Sequence, residues 1–424
     1  MKGRSLADWL DYIERQHPEK IALGLERVNA VRAALGIDLR CTVITVGGTN
    51  GKGSTCAMLA SILGSAGYCT GLYTSPHLRR YNERVRFLGR EADDDALCEA
   101  FAAVERARGA VPLTYFEYGT LAAAWFFSRQ SPDAVVLEVG LGGRLDAVNA
   151  FDADCAVLTC VAIDHVDYLG DSRESIGREK AGIFRRGKAA VIAEPDPPAS
   201  VLHEADRVGA RVLLIGREFG YDVRGAQWSY WGPSGSRHGL AHPALRGAVQ
   251  LRNAAAALAA LDALHERLPV AMQDVRRGLA DLELPGRFQV LPGRPQVVLD
   301  VAHNPNAAAT LAENLAASGY APQTIAVFAM LRDKDIAGVV RALAPGITRW
   351  HVAGLAGPRG ATPHEIARAV AQARGAAPVC VHETVAAALA AAREEATEND
   401  KILVFGSFYT VAEAIAQLEP HRHG

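Results

Sequence analysis

Short runs of β-branched and other apolar residues alternate along the chain with segments whose apolar residues recur at helical spacing. The first run covers residues 42–48, and a glycine-containing turn separates it from a helical segment at about 52–66. Continuous apolar runs are typical of parallel strands that helices cover on both faces. The pattern therefore predicts an α/β fold built on a parallel sheet. The other predicted elements here are strands at 70–75, 134–140, 156–163, 189–194 and 211–216 and helices at 94–108, 117–129 and 172–184.

This alternation stops at residues 217–250, which are rich in glycine and contain two tryptophans, and here we expect loops or short antiparallel strands. Helices are predicted at 252–266 and 271–281. The next segment is interrupted by prolines and glycines, which is typical of a linker, and the strand–helix alternation then restarts. The predicted boundaries are 1–285 for a first domain, 286–296 for the linker and 297–424 for a smaller, Rossmann-like α/β domain.

The composition excludes several classes of protein. The 424-residue chain has 45 basic and 47 acidic side chains, and its net charge of −2 argues against nucleic acid as the main partner. Its seven cysteines form no CxxC pair, which favours free thiols in a reducing compartment over disulfides or zinc. No apolar run approaches the ~18–20 residues of a membrane span. We therefore expect a soluble cytoplasmic protein without a membrane or nucleic-acid partner.

A glycine-rich segment lies directly between the first predicted strand and the helix that follows it. Backbone N–H groups in such a loop can surround a phosphate, and the helix N-terminus adds its positive end. Lys52 would neutralise the terminal phosphates of a nucleotide. The match to the common phosphate-binding loop is imperfect, because Val46 replaces the first glycine and Gly53 stands where Ser or Thr is usual. ATP or GTP binding is predicted, and a plain glycine-rich turn is the alternative. The segment is Gly47, Gly48, Thr49, Asn50, Gly51, Lys52, Gly53, Ser54 and Thr55.

Three polar residues, Ser75, Glu138 and His165, follow three different apolar runs. Because the carboxyl ends of parallel strands meet at one edge of a sheet, these side chains can converge there. A hydroxyl, a carboxylate and an imidazole form a plausible Mg²⁺ site, although histidine is an unusual ligand for magnesium. Taken singly, each residue has another explanation, as a turn cap, a salt-bridge partner and a loop histidine.

Aromatic residues flank a carboxylate in the segment 113–120, which precedes a predicted helix. This segment either offers flat faces to a ring-shaped ligand or packs its aromatic residues into the core. Arginine is suited to bidentate recognition of carboxylates, so a basic cluster after Ser75 is a candidate for binding an acidic substrate, with a solvated charge run as the alternative. The cluster consists of Arg79, Arg80, Arg84 and Arg86.

Several different short motifs are distributed along nearly the whole chain, in a fixed order. They are Gly48–Ser54, Thr74–Leu78, Glu138–Asp146, Ile163–His165, Glu179–Phe184, Leu284–Phe288, Asp300–Pro305 and Gly406–Phe408. Together they resemble the folylpolyglutamate synthetase family of the Mur ligase superfamily. The resemblance implies an amide ligase in which ATP phosphorylates a carboxylate and the amine of L-glutamate displaces the phosphate. It also implies one or two Mg²⁺ ions, dihydropteroate and reduced folates as acceptors, and a monomeric enzyme.

The same resemblance assigns roles to individual residues. It implies that Lys180 is carbamylated and supports a second metal ion, whereas composition alone would make it a solvated helix lysine. A carbamate forms only on a neutral amine, so we expect burial or nearby cations to lower the pKa of Lys180. His303 is a candidate for orienting phosphate or assisting the amine. The implied ATP ligands beyond the loop are Asn253, Arg287 and Asp300. The implied pterin and folate ligands are Lys20, Ile21, Ala22, Leu23, Thr114, Tyr115, Phe116, Glu117, Leu145, Asp146 and Ala147, and the glutamate ligands are Arg79 and Arg84.

The segment 113–120 favours the branch of the family that also joins glutamate to dihydropteroate. The nearest alternative is a folylpolyglutamate synthase without that first activity, followed by an ATPase that acts on another carboxylate. A peptidoglycan Mur ligase is disfavoured because only about 45 residues precede the loop. A GTPase switch is disfavoured because the chain has no Asn-Lys-x-Asp run.

Overall fold

The computed structural model describes residues 3–19, 21–373 and 377–418, and the chain divides into two compact units. The first unit comprises Met1–Ala244 and Gln250–Leu282, and the second comprises Leu245–Val249 and Glu283–Gly424. Each unit has its own sheet and its own apolar core.

The sheet of the first unit has the strand order β4-β3-β2-β5-β1-β6-β7-β8. Strands β2, β5, β1, β6, β7 and β8 are parallel, as the apolar runs predict. Strands β3 and β4 at the edge are antiparallel to their neighbours, which the sequence pattern did not indicate because both have only two or three residues. The strands are β1 Thr42–Gly47, β2 Thr70–Tyr73, β3 Val85–Phe87, β4 Arg90–Glu91, β5 Ala134–Glu138, β6 Cys155–Leu158, β7 Ala189–Ile192 and β8 Arg211–Leu214.

The helices of this unit begin where the sequence supplies caps. Ser5 and Thr114 each accept a backbone N–H and form capping boxes at the starts of two of them. The expected irregular stretch forms a separate antiparallel sheet, with β9 Gly220–Arg224, β10 Gln227–Gly232 and β11 Gly235–Ala241. The helices are α1 Leu6–Glu14, α2 Glu26–Leu35, α3 Lys52–Ser65, α4 Asp94–Arg108, α5 Tyr115–Gln130, α6 Val166–Leu169, α7 Arg173–Ala181, α8 Ala199–Val208, α9 Ala248–Ala263 and α10 Met272–Ala280.

The sheet of the second unit has the order β12-β13-β17-β14-β15-β16, with β12 antiparallel to β13 and the others parallel. Strand β12 lies inside the segment 286–296 that we expected to be a linker, so part of that segment belongs to this sheet. The elements are β12 Gln289–Leu291, β13 Gln296–Asp300, α11 Pro305–Ala317, β14 Thr324–Phe328, α12 Ile336–Leu343, β15 Arg349–Ala353, α13 Pro363–Gln372, β16 Val379–His382, α14 Val385–Glu395, β17 Lys401–Phe405 and α15 Phe408–Leu418.

The central strands β1, β5 and β17 are buried along their whole length, because helices cover both faces of the sheets. The predicted α/β class is therefore confirmed, with an antiparallel edge added to each main sheet. Among the described residues, no helix is long and apolar enough to cross a membrane.

Candidate active site

The glycine-rich loop connects β1 directly to α3, so its backbone turns at the carboxyl edge of the sheet. Gly48 and Gly51 adopt positive φ angles of 145° and 85°. The amine of Lys52 donates to the carbonyl oxygens of Gly48 at 3.0 Å and Thr49 at 3.1 Å, which holds the cation over the loop. Asn253 of α9 packs against the loop, since a Cβ added to Gly51 would lie 2.7 Å from its Oδ1. The predicted phosphate loop and Asn253 thus lie together.

The segment that follows β6 holds this loop in place. Thr159 Oγ1 donates to the carbonyl of Asn50 at 2.6 Å, and the backbone N–H of Thr49 donates to the carbonyl of Cys160 at 2.9 Å. The hydroxyl of Thr49 donates to the carbonyl of Ala162 at 3.1 Å, so this predicted ATP ligand also anchors the loop. Neither Thr159 nor Cys160 was predicted from the sequence as a residue that supports the loop. The available signal was their position directly after a strand, where loops of a parallel sheet meet.

Replacing Gly48 with alanine is expected to unfold the loop, because its new Cβ would lie 1.9 Å from Thr159 Oγ1 at a backbone angle that L-residues rarely adopt. We expect a loss of about 2 kcal/mol or more in the free energy of unfolding. Thermal and urea unfolding measure it. Gly64→Ala in α3 is the control, because nothing lies within 4 Å of its added Cβ, and it should be neutral or stabilising. Equal stability of the two variants would contradict the close packing of the loop.

The proposed metal ligands follow neighbouring strands at the same edge. Ser75 comes after β2 and Glu138 ends β5, and the backbone N–H of Ser75 donates to Glu138 Oε2 at 3.0 Å. Glu138 is buried. His165 follows β6, caps the short helix α6 and has a φ of 52°. Strand β1 with the phosphate loop separates β5 from β6, so the three residues flank that loop on both sides.

Their chemistry fits a magnesium ion that also binds a nucleotide. Mg²⁺ keeps several waters and takes one or two protein carboxylates together with phosphate oxygens. Within the described ranges, His, Cys, Asp and Glu side chains form no group of three that could hold a metal by themselves. A site built from Glu138, the Ser75 hydroxyl, phosphate and water needs no such group.

The side chain of Lys180 is buried near this loop. It lies in α7 and is 4% exposed. Burial, reinforced by the positive charge of Lys52, lowers the pKa of Lys180 to about 7. This shift favours the neutral amine, which is the form that a carbamate requires.

Asp146 is the other strongly perturbed group at this edge. Burial raises its pKa to about 7, although its carboxylate accepts the backbone N–H groups of Leu141 at 2.9 Å and Val148 at 3.0 Å. These hydrogen bonds fix the loop after β5. Asp146 thereby fixes the backbone of one of the predicted pterin segments.

The three predicted pterin segments lie together. Arg27 of α2 donates to Glu117 Oε1 at 2.8 Å and to the carbonyl of Ala22 at 2.7 Å. The backbone N–H of Gly24 donates to the carbonyl of Leu145 at 3.3 Å. Ile21 and Leu23 lie in the same short segment as Ala22, Tyr115 and Phe116 begin α5, and Ala147 begins a turn of 3-10 helix. Lys20 lies outside the described residues.

The predicted arginine cluster separates into different environments. Arg84 donates from Nε to His77 Nδ1 at 2.8 Å, and its guanidinium lies over the rings of Tyr81 and Tyr115. Burial, with the nearby Arg84 charge, lowers the pKa of His77 to about 4, so His77 is neutral. Arg80 and Arg86 instead pair with the acidic residues Asp94 and Glu91. Arg79 is exposed.

In the second unit, Asp300 organises the end of β13. Its carboxylate accepts the backbone N–H groups of Phe288 and Ala302, both at 2.8 Å, and burial raises its pKa. The guanidinium of Arg287 lies over the ring of Phe408, at 5.0 Å from its centroid. His303 donates from Nδ1 to the carbonyl of Val301 at 2.8 Å, which fixes its tautomer. Phe408 belongs to the motif Gly406–Phe408, but the sequence did not predict it as a site residue.

The comparisons with known proteins agree along the whole chain. The Mur ligase middle domain matches residues 46–261, and the glutamate ligase domain of Mur ligases matches residues 286–408. The dihydrofolate synthase/folylpolyglutamate synthase of Escherichia coli K12 is 46% identical over 420 residues, covering 99% of this chain and 97% of the relative.

Two solved structures are similar over their full length. One is Escherichia coli FolC in complex with DHPP and ADP, with a TM-score of 0.94, 46% identity and 98% coverage of both chains. The other is a bifunctional folylpolyglutamate synthase/dihydrofolate synthase with Mn, AMPPNP and L-glutamate bound, with a TM-score of 0.90, 44% identity and 98% coverage of both chains. The chain therefore belongs to the Mur ligase family, within the group of the dihydrofolate synthase/folylpolyglutamate synthases.

Proposed function

We propose that the chain is a bifunctional dihydrofolate synthase and folylpolyglutamate synthase. It joins L-glutamate to dihydropteroate with ATP, and then adds further γ-linked glutamates to reduced folates. The observation that carries this proposal is the edge of the first sheet, where a lysine-bearing phosphate loop and the Ser75–Glu138 pair follow adjacent strands. The loop after β5 is hydrogen-bonded to the segment 21–24, which Arg27 connects to Glu117 of the third predicted pterin segment. The similar structures with ADP, AMPPNP, Mn and L-glutamate support ATP and a divalent cation as its requirements.

The reaction needs the carboxylate of the acceptor to become an electrophile. Its oxygen attacks the γ-phosphorus of ATP, ADP leaves, and the amine of glutamate then displaces phosphate from the acyl carbon. The N–H groups of the loop and Lys52 hold the phosphates in line for the first step. Ser75, Glu138 and His165 would hold the divalent cation, which neutralises charge on the transferred phosphoryl group. Asn253, Arg287 and Asp300 are proposed as further ATP ligands, with His303 as an orienting group.

Phosphate transfer through the acceptor carboxylate can be tested directly. The protein is incubated with ATP, L-glutamate and dihydropteroate carrying heavy oxygen in its carboxylate. The proposal expects heavy oxygen in the released phosphate, because one carboxylate oxygen leaves with it. Phosphate of ordinary mass accompanied by amide product would exclude the acyl phosphate route.

We propose Arg84 as a ligand for a carboxylate of glutamate, with exposed Arg79 as a second. Arg84 is held by His77 and stacks on Tyr115, which begins the pterin segment. Arg84→Gln is expected to raise the KM for L-glutamate by about tenfold or more, with little change in the KM for ATP, because bidentate charge-assisted bonds are lost. Steady-state kinetics measure both constants. Arg80→Gln is the control, since Arg80 already pairs with Asp94, and equal effects of the two variants would refute the assignment.

Two alternatives remain distinguishable by product analysis. A folylpolyglutamate synthase would extend tetrahydrofolate and ignore dihydropteroate, whereas an ATPase acting on another carboxylate would use neither. The similarity to the dihydrofolate synthase/folylpolyglutamate synthase of Escherichia coli favours the bifunctional enzyme. We further propose a cytoplasmic monomer that acts without nucleic acid or membrane. The seven free thiols support the cytoplasmic location, and the net charge of −2 argues against nucleic acid as a partner.

A further inference from the structure

We propose that the ion pair between Glu117 and Arg27 latches the segment 21–24 and thereby sets the affinity for dihydropteroate. In this role Glu117 is a positioning residue, and not the direct pterin ligand that the family resemblance implies. The inference rests on the proposed function, because it concerns the acceptor site of that reaction.

The carboxylate of Glu117 already has hydrogen-bond partners within the protein. Glu117 is 3% exposed. Its Oε1 accepts from both Nη2 and Nε of Arg27, at 2.8 and 3.1 Å, and its Oε2 accepts the backbone N–H of Thr114 at 2.8 Å and Nε of Arg27 at 3.3 Å. Both oxygens are thus bound within the protein. A pterin that bonded to them would have to displace Arg27 or Thr114.

Arg27 also links the Glu117 carboxylate to the predicted pterin segment 21–24. The nitrogen Nη2 of Arg27 that binds Glu117 also donates to the carbonyl of Ala22 at 2.7 Å. Residues 21–24 have no regular secondary structure in the described chain, so single hydrogen bonds such as this one help to position them. Gly24 in turn donates to Leu145, which brings the third pterin segment into register. The guanidinium of Arg27 therefore connects two of the segments, and the backbone of Gly24 connects the third.

The ion pair of Glu117 with Arg27 is distinct from the role of Glu117 in capping α5. Glu117 is the third residue of α5 and completes a capping box with Thr114. Glutamine serves as well as glutamate at that position, because the cap needs only an acceptor oxygen. A charged carboxylate is needed for a bidentate pair with arginine, and losing it leaves a partly buried cation without its counter-ion. Glu117→Gln therefore removes the latch while keeping the cap.

Kinetics and hydrogen exchange of Glu117→Gln test the proposal. We expect the KM for dihydropteroate to rise about tenfold or more, with kcat and the KM for ATP within about twofold of wild type, because supporting contacts act through substrate placement. Amide hydrogen exchange of residues 21–24 should accelerate, and this readout does not need a working enzyme. If wild type ligated glutamate to neither acceptor, the proposed function would fail, while the exchange data would still judge the latch.

The chain supplies a matched control. Glu365 occupies the same position in the capping box of α13 and pairs with Arg332 at 3.3 Å, but it lies in the second unit and its side chain is 36% exposed. Glu365→Gln should change neither the KM for dihydropteroate nor the exchange of residues 21–24. Arg27→Gln should reproduce the effect of Glu117→Gln, and the double variant should be no worse than either single one. An unchanged KM and unchanged exchange in folded Glu117→Gln, or additive effects in the double variant, would overturn the proposal.

Discussion

Replacing Lys52 with alanine is expected to lower the rate of amide ligation by on the order of 1000-fold or more while leaving the fold intact. The amine lies 3.0 and 3.1 Å from two carbonyl oxygens of the loop, at the end of β1 where the phosphates of ATP are proposed to bind. Charge that develops on the transferred phosphoryl group would lose its nearest protein cation. Phosphate release from ATP, measured with saturating acceptor and L-glutamate, gives the rate.

The control for this prediction is Lys188→Ala. Lys188 is half-exposed and pairs with Asp154, away from the loop, so its loss should leave turnover near wild type. Circular dichroism and thermal unfolding should show that both variants are folded. Near-normal ligation by folded Lys52→Ala would refute the assignment of the loop as the phosphate site.

Replacing Lys180 with alanine is expected to reduce ligation by about 100-fold, because a carbamate on this residue would support the second metal ion. A short carboxylic acid, supplied with bicarbonate, should restore part of the activity by taking the place of the carbamate. Steady-state assays with and without the acid measure the rescue. The same additives should not rescue Lys52→Ala, which lacks a cation. Full activity of Lys180→Ala, or equal rescue of both variants, would refute the carbamate.

Because the pKa of Lys180 is lowered, both the ligation activity and the free energy of unfolding should depend on pH. Below about 7 the buried amine is protonated and cannot form a carbamate, so with limiting CO₂ the activity should rise as the pH rises through about 7. In the carbamate-free protein, the folded pKa lies below the ordinary value of 10.5, so the unfolded chain binds more protons between these values. The free energy of unfolding should therefore increase with pH from about 7 to 10.5, and Lys180→Met should flatten that increase. Urea unfolding at several pH values measures it.

The main sheets were predictable because their strands are continuous apolar runs. The run ending at Gly47 is buried at every position, and burial on both faces leaves no room for polar alternation. Strand β4 escaped prediction because its residues, Arg90 and Glu91, are exposed and carry no hydrophobic signal. Strand β12 escaped because it is three residues long and lies among prolines and glycines. Its pairing with β13 is a tertiary contact, which local composition does not encode.

Local sequence likewise predicts some residues of the candidate site and misses others. The phosphate loop and the Ser75–Glu138 edge follow from residue type and from position after a strand, and Glu138 indeed lies against the backbone of Ser75. The buried state of Lys180 followed only from the family resemblance, because its neighbours in sequence are charged. Arg27 and Thr159 were missed, since each acts through a partner about 90 or more residues away along the chain.

The measurement that tests the central claim most directly is phosphate release from ATP with L-glutamate and Mg²⁺, comparing dihydropteroate with tetrahydrofolate as acceptor. Products are identified by mass. The account predicts turnover with both acceptors, each gaining one glutamate for each phosphate released. Turnover with tetrahydrofolate alone would contradict the first activity, and the absence of product with either acceptor would contradict the assignment of this chain as a folate–glutamate ligase.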